Sequence, residues 1–535
     1  MIDAYGAYGR PLRRCVALLL EGPQTLADLV GVTGVPHRVV QALVAAMGDD
    51  IEEQARGWRL AASRRAQYAA HLGLGGQGRP DGGADSLPAP WLPELRRLQE
   101  ASPPALHSLD HVPATPETVA RRALWLDGAY DLAGRRLLFL GDDDLTSLAM
   151  GLCRPDVEMT VVDVDERMLA FLDAEAARLG LHLRCRYGDL RWGLPPDVTG
   201  WADVAFTDPP YTPEGVALFA LRALQGMADH THGRVVLAYG YSDTHPRLGL
   251  KVQRAVQRLN VVFEAILPGF NRYDGALAIG GAGDLYVCRP TPATWRLLER
   301  DAPARDPRIY TRGRQAQEGN AGALDPQVAD QVLARVGPVD ILVGDGWPAA
   351  AAPAAHRVSL GEALAGLPGS RQAEPAVVAN LADAPDSALL RLLLAVNAAS
   401  LWSVVPVGHG DLASESGQNA LQELIAPKYR VRFYRSTPAT PLALVCATSV
   451  PAGALDPGGQ VARGLLRRCH GRIANAWAEA LSRVDGGKPP PTRNAARARV
   501  AASGLPCLES RVADLPRAQI AHLLQHARAS AAAGA

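Results

Sequence analysis

Short apolar runs that end in acidic residues recur through the middle of the chain. Leu137–Leu140 is wholly apolar, as expected for a strand that is buried on both faces, and Thr160–Val164 is a second such run. Asp189 follows a third run and Asp208 ends a fourth. This order predicts an α/β domain with an open sheet, whose ligands bind at the carboxyl ends of its strands.

The first two runs carry the spacing of a nucleoside site. Gly141 follows the first run and Asp163 ends the second, a separation of 163 − 141 = 22 residues. About 20 residues are expected between a first-turn glycine and the carboxylate that binds ribose hydroxyls. We therefore predict that Asp163 binds ribose, with Asp165 beside it, and that Asp189 and Leu190 contact the base.

The loop after the first run is acidic. Asp142, Asp143 and Asp144 follow Gly141, where nucleoside sites often carry further glycines that approach a phosphate or carboxylate. From Leu137 to Gly215 there are 15 acidic residues and 6 arginines, a net charge of 6 − 15 = −9. Such a cleft attracts cations. One aspartate would suffice as a helix cap, so the loop favours a cationic donor without a carboxylate and an amine acceptor. Decarboxylated S-adenosylmethionine and a polyamine have these properties.

These residues resemble a known family. The blocks GDDDLTSLAMGL, VVDVDERML and FTDPPYTPEG, with a later segment ending in NRYDGA, are similar to the branched-chain polyamine synthases over roughly residues 10–295. The resemblance implies aminopropyl transfer from decarboxylated S-adenosylmethionine to spermidine or a related polyamine. It also implies a class I methyltransferase-like Rossmann catalytic domain behind an N-terminal winged helix, and it is compatible with a homodimer.

The DPPY block adds a mechanism. A similar (N/D)PPY turn in amino-methyltransferases holds the nucleophilic nitrogen, and Asp208 supplies a charge where asparagine would not. An amine with a pKa of about 10 is protonated at neutral pH, so a positioned carboxylate must accept its proton. We predict that Asp208 holds the nucleophile and that Asp144 is a base or amine anchor.

The remaining site residues follow from the same comparison. Donor contacts are predicted for Gly141, Asp142, Asp143, Asp163, Asp165, Asp189 and Leu190. Polyamine contacts, including cation–π walls, are predicted for Pro209, Tyr211, Glu214, Tyr239, Tyr241, Tyr273 and Asp274. No metal site is expected, because none of the seven cysteines has a metal-ligand spacing. No tightly bound cofactor is expected either, and decarboxylated S-adenosylmethionine is a co-substrate.

The chain is long enough for several domains. We expect a winged helix over 1–71, a linker and helical lead-in over 72–133, the catalytic domain over 134–295, a diverged inactive Rossmann-like domain over 325–450, and a helical region over 451–535. The charged stretch Pro292–Ala323 is interpreted as a linker. GDGW at 344–347 is interpreted as a remnant of the first loop of the catalytic domain.

Two other functions remain open. An S-adenosylmethionine-dependent amino-methyltransferase of nucleic acid is compatible with DPPY and a winged helix, but the acidic loop and a formal net charge of zero argue against it. A non-enzymatic polyamine sensor is the third reading, and the intact motifs argue against it. The absence of a signal-like or membrane-spanning apolar stretch favours a cytoplasmic protein. The sequence leaves open the acceptor, the number of aminopropyl groups added, the oligomeric state and whether the winged helix binds DNA.

Overall fold

A computed structural model describes most of the chain. It covers residues 1–72, 91–241, 245–274, 281–300, 308–311, 323–367, 374–438, 440–484 and 490–532. Most of the expected linker after Leu72 lies outside these residues. No single helix among the described residues is long and apolar enough to cross a membrane, although one bent pair, Leu26–Thr33 with His37–Asp50, has the length and composition.

The N-terminal region is a small helical unit with a hairpin. Its elements are α1 (Arg10–Glu21), α2 (Leu26–Thr33), α3 (His37–Met47), β1 (Ile51–Gln54), β2 (Gly57–Leu60) and α4 (Arg65–His71). Thr25 and Asp28 form a capping box at the start of α2, and Gly34 ends it in the left-handed conformation. Apolar residues of α1, α2, α3 and β2 share one core. Three helices followed by a hairpin are compatible with a winged helix, and that classification stays a prediction.

The middle of the chain forms the predicted α/β unit. Its helices are α5 (Trp91–Ala101), α6 (Pro116–Ala129), α7 (Thr146–Cys153), α8 (Glu166–Leu179), α9 (Pro213–Gln225), α10 (Pro246–Gln257) and α11 (Pro292–Leu298). Its strands are β3 (Arg136–Leu140), β4 (Glu158–Asp163), β5 (Leu183–Tyr187), β6 (Val204–Thr207), β7 (Arg234–Tyr239), β8 (Val262–Arg272) and β9 (Ala282–Arg289).

These strands form one sheet in the order β5-β4-β3-β6-β7-β9-β8. The first five are parallel, and β9 runs antiparallel to both β7 and β8. Apolar clusters cover both faces of the sheet, so the parallel strands are buried as expected. The strand order reverses at β3, which lies between β4 and β6. A ligand site is therefore expected at the carboxyl ends of these three strands.

The C-terminal half contains a second sheet. Its helices are α12 (Pro326–Val336), α13 (Leu360–Ala365), α14 (Ser387–Ala395), α15 (Gly410–Ala413), α16 (Glu415–Ile425), α17 (Pro457–Arg467), α18 (Ile473–Leu481), α19 (Arg493–Ala501) and α20 (Arg517–Ala532). Its strands are β10 (Ile341–Val343), β11 (His356–Val358), β12 (Ala376–Asn380), β13 (Ser400–Pro406), β14 (Tyr429–Tyr434) and β15 (Leu442–Ser449).

The second sheet has the order β11-β10-β12-β13-β15-β14. Its first four strands are parallel, and β15 is antiparallel to β13 and β14. This is the order of the first sheet without a counterpart of β5, so β10 corresponds to β3, β12 to β6 and β13 to β7. We interpret the unit as a diverged copy of the first.

Two parts of the presumed linker are structured, which corrects the interpretation of Pro292–Ala323. Residues Pro292–Leu298 form α11, which begins at a Thr291 cap and a first-turn proline. Ile309 and Tyr310 are 2% and 4% exposed and pack against the first domain. The charge and proline content of this stretch predict a linker. Burial of the apolar side chains of Ile309 and Tyr310 instead holds this part of the stretch against the first domain.

The two α/β units pack together through the donor side of the first sheet. The Arg391 guanidinium lies 3.6 Å from the centre of the Tyr187 ring on β5. Gln519 of α20 donates to Asp173 of α8 at 3.0 Å, and Ser510 donates to Asp197 at 2.8 Å. Arg391 also pairs with Glu166 at the start of α8. The C-terminal half therefore contacts the loop and helix that follow β4.

Candidate functional site

The acidic loop turns sharply at the end of β3. Gly141 has φ +68°, a conformation that favours glycine, and it is followed directly by the three aspartates. Asp142 accepts hydrogen bonds from the backbone N–H of Ser147 at 3.2 Å and from its hydroxyl, so it caps the start of α7. Burial and the charge of Asp144 raise the pKa of Asp142 well above its ordinary value. One aspartate of the loop thus serves the capping role.

The other two aspartates of the loop have different surroundings. Partial burial raises the pKa of Asp143 to about 7, while His111 opposes the shift and neighbouring carboxylates add to it. Asp144 is 3% exposed and accepts hydrogen bonds on both oxygens, from Thr146 at 2.7 Å and from Arg122. Asp143 is therefore the loop carboxyl that titrates near neutral pH, whereas Asp144 is held in a buried ion pair.

Arg122 joins the two predicted catalytic carboxylates. Its side chain is fully buried, pairs with Asp144 and donates to Asp208 Oδ2 at 2.6 Å. It also donates to Asn271 at 2.8 Å and to the Tyr273 hydroxyl at 3.1 Å. Burial lowers the pKa of Arg122, but the carboxylates outweigh this and hold it above the ordinary value. A buried guanidinium with several fixed partners positions all of them.

Arg122 is not among the residues predicted from the sequence, although the sequence contains a signal for it. Val119 and Leu126 of α6 are buried core residues, and Arg122 lies three residues after one and four before the other. It therefore falls on the apolar stripe of the helix. A charged residue in such a stripe indicates a buried ion pair, because an unpaired buried charge is costly.

Asp208 retains one oxygen for a ligand. Its described hydrogen bonds, from Arg122 and from the Tyr273 hydroxyl at 2.8 Å, both end on Oδ2. The Tyr211 hydroxyl donates to Tyr273 at 2.8 Å and completes a short chain. Burial raises the pKa of Asp208 to about 6, although Arg122 opposes the shift. Asp208 Oδ1 is thus better placed than Asp144 to accept a proton.

Aromatic rings surround this carboxylate. Tyr211 packs edge-on against Tyr239 with ring centres 5.2 Å apart, and Tyr239 stacks on Tyr241 at 6.2 Å. Tyr239 is fully buried, and its hydroxyl has no hydrogen-bond partner among the described groups. Since buried hydroxyls are normally paired, this one is available to a ligand.

The other predicted acceptor residues lie at different depths. Pro209 is buried within the DPPY turn, which Thr212 ends as the N-cap of α9. Glu214, in the first turn of α9, is exposed, and so is Asp274 after β8. The buried tyrosines thus lie at the centre of the site, and these two carboxylates at its exposed edge.

The predicted donor residues lie at the ends of β4 and β5. Asp163 accepts from the backbone N–H groups of Asp142 at 3.1 Å and Asp165 at 2.8 Å, and burial raises its pKa. Asp165 caps α8 and pairs with Arg167 at 2.7 Å. The loop after β3 and the end of β4 are thereby held together, as the 22-residue spacing predicts.

The expected base-binding residues are already engaged. Asp189 forms a buried ion pair with Arg191 at 2.5 Å, and the Leu190 carbonyl accepts from Arg222 at 2.6 Å. Arg191 thus balances the charge of Asp189. Its predicted contact with the base stays a prediction, as does that of Leu190.

A short segment outside the predicted catalytic domain also reaches the site. The Ile309 carbonyl accepts from the Thr212 hydroxyl at 2.7 Å, and Thr311 donates to Asp110 from its backbone N–H at 2.7 Å. The buried Tyr310 between them lies 5.9 Å from the Arg191 guanidinium. Burial raises its pKa, and the charge of Asp189 adds to the shift. This segment, residues 308–311, connects the DPPY turn with the donor side.

Comparison with known proteins identifies the middle segment. Residues 92–280 match the family model described as the branched-chain polyamine synthase A C-terminal domain. This segment belongs to the branched-chain polyamine synthase family. The resemblance drawn from the GDDD and DPPY blocks is thereby confirmed over the catalytic segment.

Curated relatives match the same part of the chain. An uncharacterized protein of Methanocaldococcus jannaschii is 38% identical over 183 residues, covering 34% of this chain and 45% of the relative. The N(4)-bis(aminopropyl)spermidine synthase of Thermococcus kodakarensis is 30% identical over 188 residues, covering 34% and 52%. The enzyme of that name from Thermus thermophilus is 41% identical over 124 residues, covering 23% and 36%. The chain therefore spans about half or less of the length of these relatives.

A solved structure gives a weaker match. The branched-chain polyamine synthase of Thermus thermophilus, in complex with N4-aminopropylspermidine and 5′-methylthioadenosine, is 22% identical. The alignment covers 58% of this chain and 92% of that one, with a TM-score of 0.35.

Proposed function

We propose that this protein transfers an aminopropyl group from decarboxylated S-adenosylmethionine to a nitrogen of spermidine or a related polyamine. The observation that carries the proposal is the buried network at the ends of β3 and β6. There Asp144 and Asp208 share Arg122, and the network is surrounded by Tyr211 and Tyr273. Relatives of the matched segment named N(4)-bis(aminopropyl)spermidine synthase support the choice of reaction.

The proposed step is a direct displacement at carbon. The amine lone pair attacks the carbon beside the sulfonium, so a C–N bond forms while the C–S bond breaks. The bonding electrons pass to sulfur, which leaves as the thioether 5′-methylthioadenosine. Before the attack, the bound ammonium gives one proton to Asp208 Oδ1, which frees the nitrogen lone pair and suits a carboxyl whose pKa is raised to about 6.

Arg122 and Asp144 support this step without exchanging protons. Arg122 fixes Asp208 through Oδ2 and leaves Oδ1 for the ammonium. Asp144 balances the charge of Arg122 and adds negative potential near the donor sulfonium. Orientation of two bound substrates supplies much of the remaining rate enhancement.

Several finer assignments belong to this proposal. Decarboxylated S-adenosylmethionine is a co-substrate, and no tightly bound cofactor is required. Asp163 would bind the ribose, since both its oxygens already face the first loop and the start of α8. The seven cysteines are all free and buried, which supports a reducing, cytoplasmic location. A homodimer is compatible with the family, and the second α/β unit is assigned no catalytic role.

The direct test uses the full chain with spermidine and either decarboxylated or ordinary S-adenosylmethionine. Products are weighed by mass spectrometry. We expect the wild-type protein to add aminopropyl groups to spermidine with the decarboxylated donor and not with ordinary S-adenosylmethionine. The Asp208→Asn variant should add none with either donor. Methylated spermidine would replace the proposal with an amino-methyltransferase. Binding of spermidine without any product would favour the sensor.

A further inference from the structure

A cleft of about 910 Å³ lies between the two α/β units. One wall is formed by residues 164–167 at the start of α8 and by the loop around Leu106. The other wall comes from the C-terminal half: residues 383–387 after β12, residues 409–411 after β13, and one side of α20. A polyamine or similar small ligand fits easily in such a volume.

The cleft has a counterpart in the first unit. In the first sheet, the candidate amine site lies at the carboxyl ends of β6 and β7, with Asp208 and Tyr239. In the second sheet, β12 and β13 occupy the corresponding places, and the residues at their carboxyl ends line the cleft. The loop after β12 even keeps an Asp-Ala-Pro sequence at 383–385, near the position of DPPY. Open α/β sheets bind ligands at these ends.

The first loop of the second unit is closed, in contrast. Gly344 follows β10 with φ +87°, and a Cβ there would lie 2.7 Å from the Asn380 carbonyl oxygen. The Asn380 side chain donates to the Asp345 carbonyl at 2.8 Å, and the buried Trp347 donates to the Val343 carbonyl at 3.0 Å. The position of a nucleoside donor is thus filled, whereas the position of the acceptor opens into the cleft.

The lining combines carboxylates with aliphatic side chains. Six carboxylates line the cleft: Asp165, Glu166, Asp383, Asp386, Asp411 and Glu423. Three arginines line it as well, and two of them pair with Asp165 and Asp411. Glu166 pairs with Arg391 behind the wall. The three lining arginines and Arg391 together carry four positive charges against six carboxylates, so the net charge is 4 − 6 = −2. His409 adds no charge, because burial lowers its pKa.

The apolar part of the wall determines what kind of cation fits. Leu106, Val164, Pro385, Leu424 and Leu524 line the same space as the carboxylates. A compact inorganic cation gains nothing from aliphatic walls. A chain of methylenes with ammonium groups at intervals matches both parts of the lining.

We propose that this cleft binds a flexible aliphatic polycation of the polyamine class, at a site separate from the one at Asp208. The site would take up a polyamine without reacting it, because the donor position of its own unit is closed. Its wall continues directly into Asp163 through Val164 and Asp165. A polyamine bound in the cleft would therefore change the surroundings of the candidate donor site. Its binding does not depend on the proposed reaction.

The test is spermidine binding to the full chain by titration calorimetry at about 0.15 M salt, where weak surface attraction is screened. Two binding sites per chain are expected. Asp386 and Glu423 are exposed members of the lining, so the double variant D386N/E423Q should fold normally. We expect it to weaken one site at least tenfold, which is about 1.4 kcal/mol, and to leave the other unchanged.

Two comparisons locate the effect. The variant E52Q/E53Q removes the same charge from the exposed β1 hairpin and should bind spermidine as the wild type does. Asp208→Asn should lose the other site and keep the one in the cleft. Spermidine should also slow hydrogen exchange in residues 383–387 and 409–411, and this protection should disappear in D386N/E423Q.

The proposal fails if D386N/E423Q binds spermidine with wild-type stoichiometry and affinity. It also fails if E52Q/E53Q weakens binding to the same extent, because the attraction would then be general. Failure of the proposed reaction is recognised separately, as absence of aminopropylated product in the mass spectra. That result leaves the calorimetry of the cleft unaffected.

Discussion

Replacing Asp208 by asparagine is expected to stabilise the catalytic domain at neutral pH while removing its activity. The side chain is only 13% exposed, and burial raises its pKa to about 6, against about 3.9 in an unfolded chain. A carboxyl whose pKa is raised by folding binds its proton more tightly in the folded state. Ionising it at neutral pH therefore costs stability, and a neutral amide removes that cost.

The size of the effect follows from the shift. About two pKa units correspond to about 3 kcal/mol at most, since each unit is about 1.4 kcal/mol. Below about pH 4 both forms are neutral, so variant and wild type should have equal stability. The advantage of the variant should develop between about pH 4 and pH 6 and stay constant above. The pKa of about 6 already includes the opposing charge of Arg122, and we expect an observed gain of about 1–3 kcal/mol.

Hydrogen exchange of the β3 and β6 amides is the appropriate measurement, because separate domains of one chain need not unfold together. Exchange at pH 5 and pH 8, corrected for the intrinsic rates, should give a larger gain at pH 8. Asp156→Asn, which removes a half-exposed carboxylate from the surface, should show no such gain. Turnover should fall at least about 100-fold in Asp208→Asn, and in the wild type it should rise with pH through about 6. A variant that is equally destabilised at both pH values, or still active, would refute the reasoning.

Three further changes test the surroundings of this carboxylate. Arg122→Met leaves two buried carboxylates without their cation and should cost about 3–5 kcal/mol by the same hydrogen-exchange measurement, whereas Arg121→Met should cost under about 1 kcal/mol. Gly215→Ala places a Cβ within 2.9 Å of two backbone oxygens and should raise the acceptor KM about tenfold, while Gly128→Ala, with open space around it, should not. Tyr239→Phe removes a hydroxyl that has no hydrogen-bond partner among the described residues, so it should raise the acceptor KM about tenfold without lowering the melting temperature. An unchanged KM with lower stability would mean that this hydroxyl is structural.

The sheet that positions the site could be predicted from local pattern. Leu137–Leu140 is wholly apolar and Thr160–Val164 is mostly so, a composition typical of parallel strands that are buried on both faces. Their acidic ends then had to meet at one edge. Accordingly, the Asp163 carboxylate at the end of β4 accepts hydrogen bonds from the backbone N–H groups of Asp142 and Asp165.

The partners of these carboxylates could not be predicted in the same way. Arg122 reaches Asp208 across 86 residues of sequence, and Ile309 reaches Thr212 across 97. Such contacts depend on how α6 and residues 308–311 pack on the sheet. Local sequence periodicity does not predict that packing. The ion pair between Asp189 and Arg191 is local, but a spacing of two residues fits a turn as well as a free carboxylate. The structure therefore adds an ion-pair partner to Asp189, whose contact with the base stays a prediction.

The loop between β4 and α8, which follows Asp163, is held in place by contacts with the C-terminal half. Glu166, one residue after the Asp165 cap, pairs with Arg391 and accepts from the Arg517 backbone N–H at 2.8 Å. Arg391 in turn donates to the carbonyls of Ala513 at 3.0 Å and Leu515 at 2.9 Å. The start of α8 is thus tied to α14, to the segment before α20 and to α20 itself. All of these lie outside the family-matched residues 92–280. Since the same loop directly follows Asp163, the geometry of the candidate donor site is shared between the two halves of the chain.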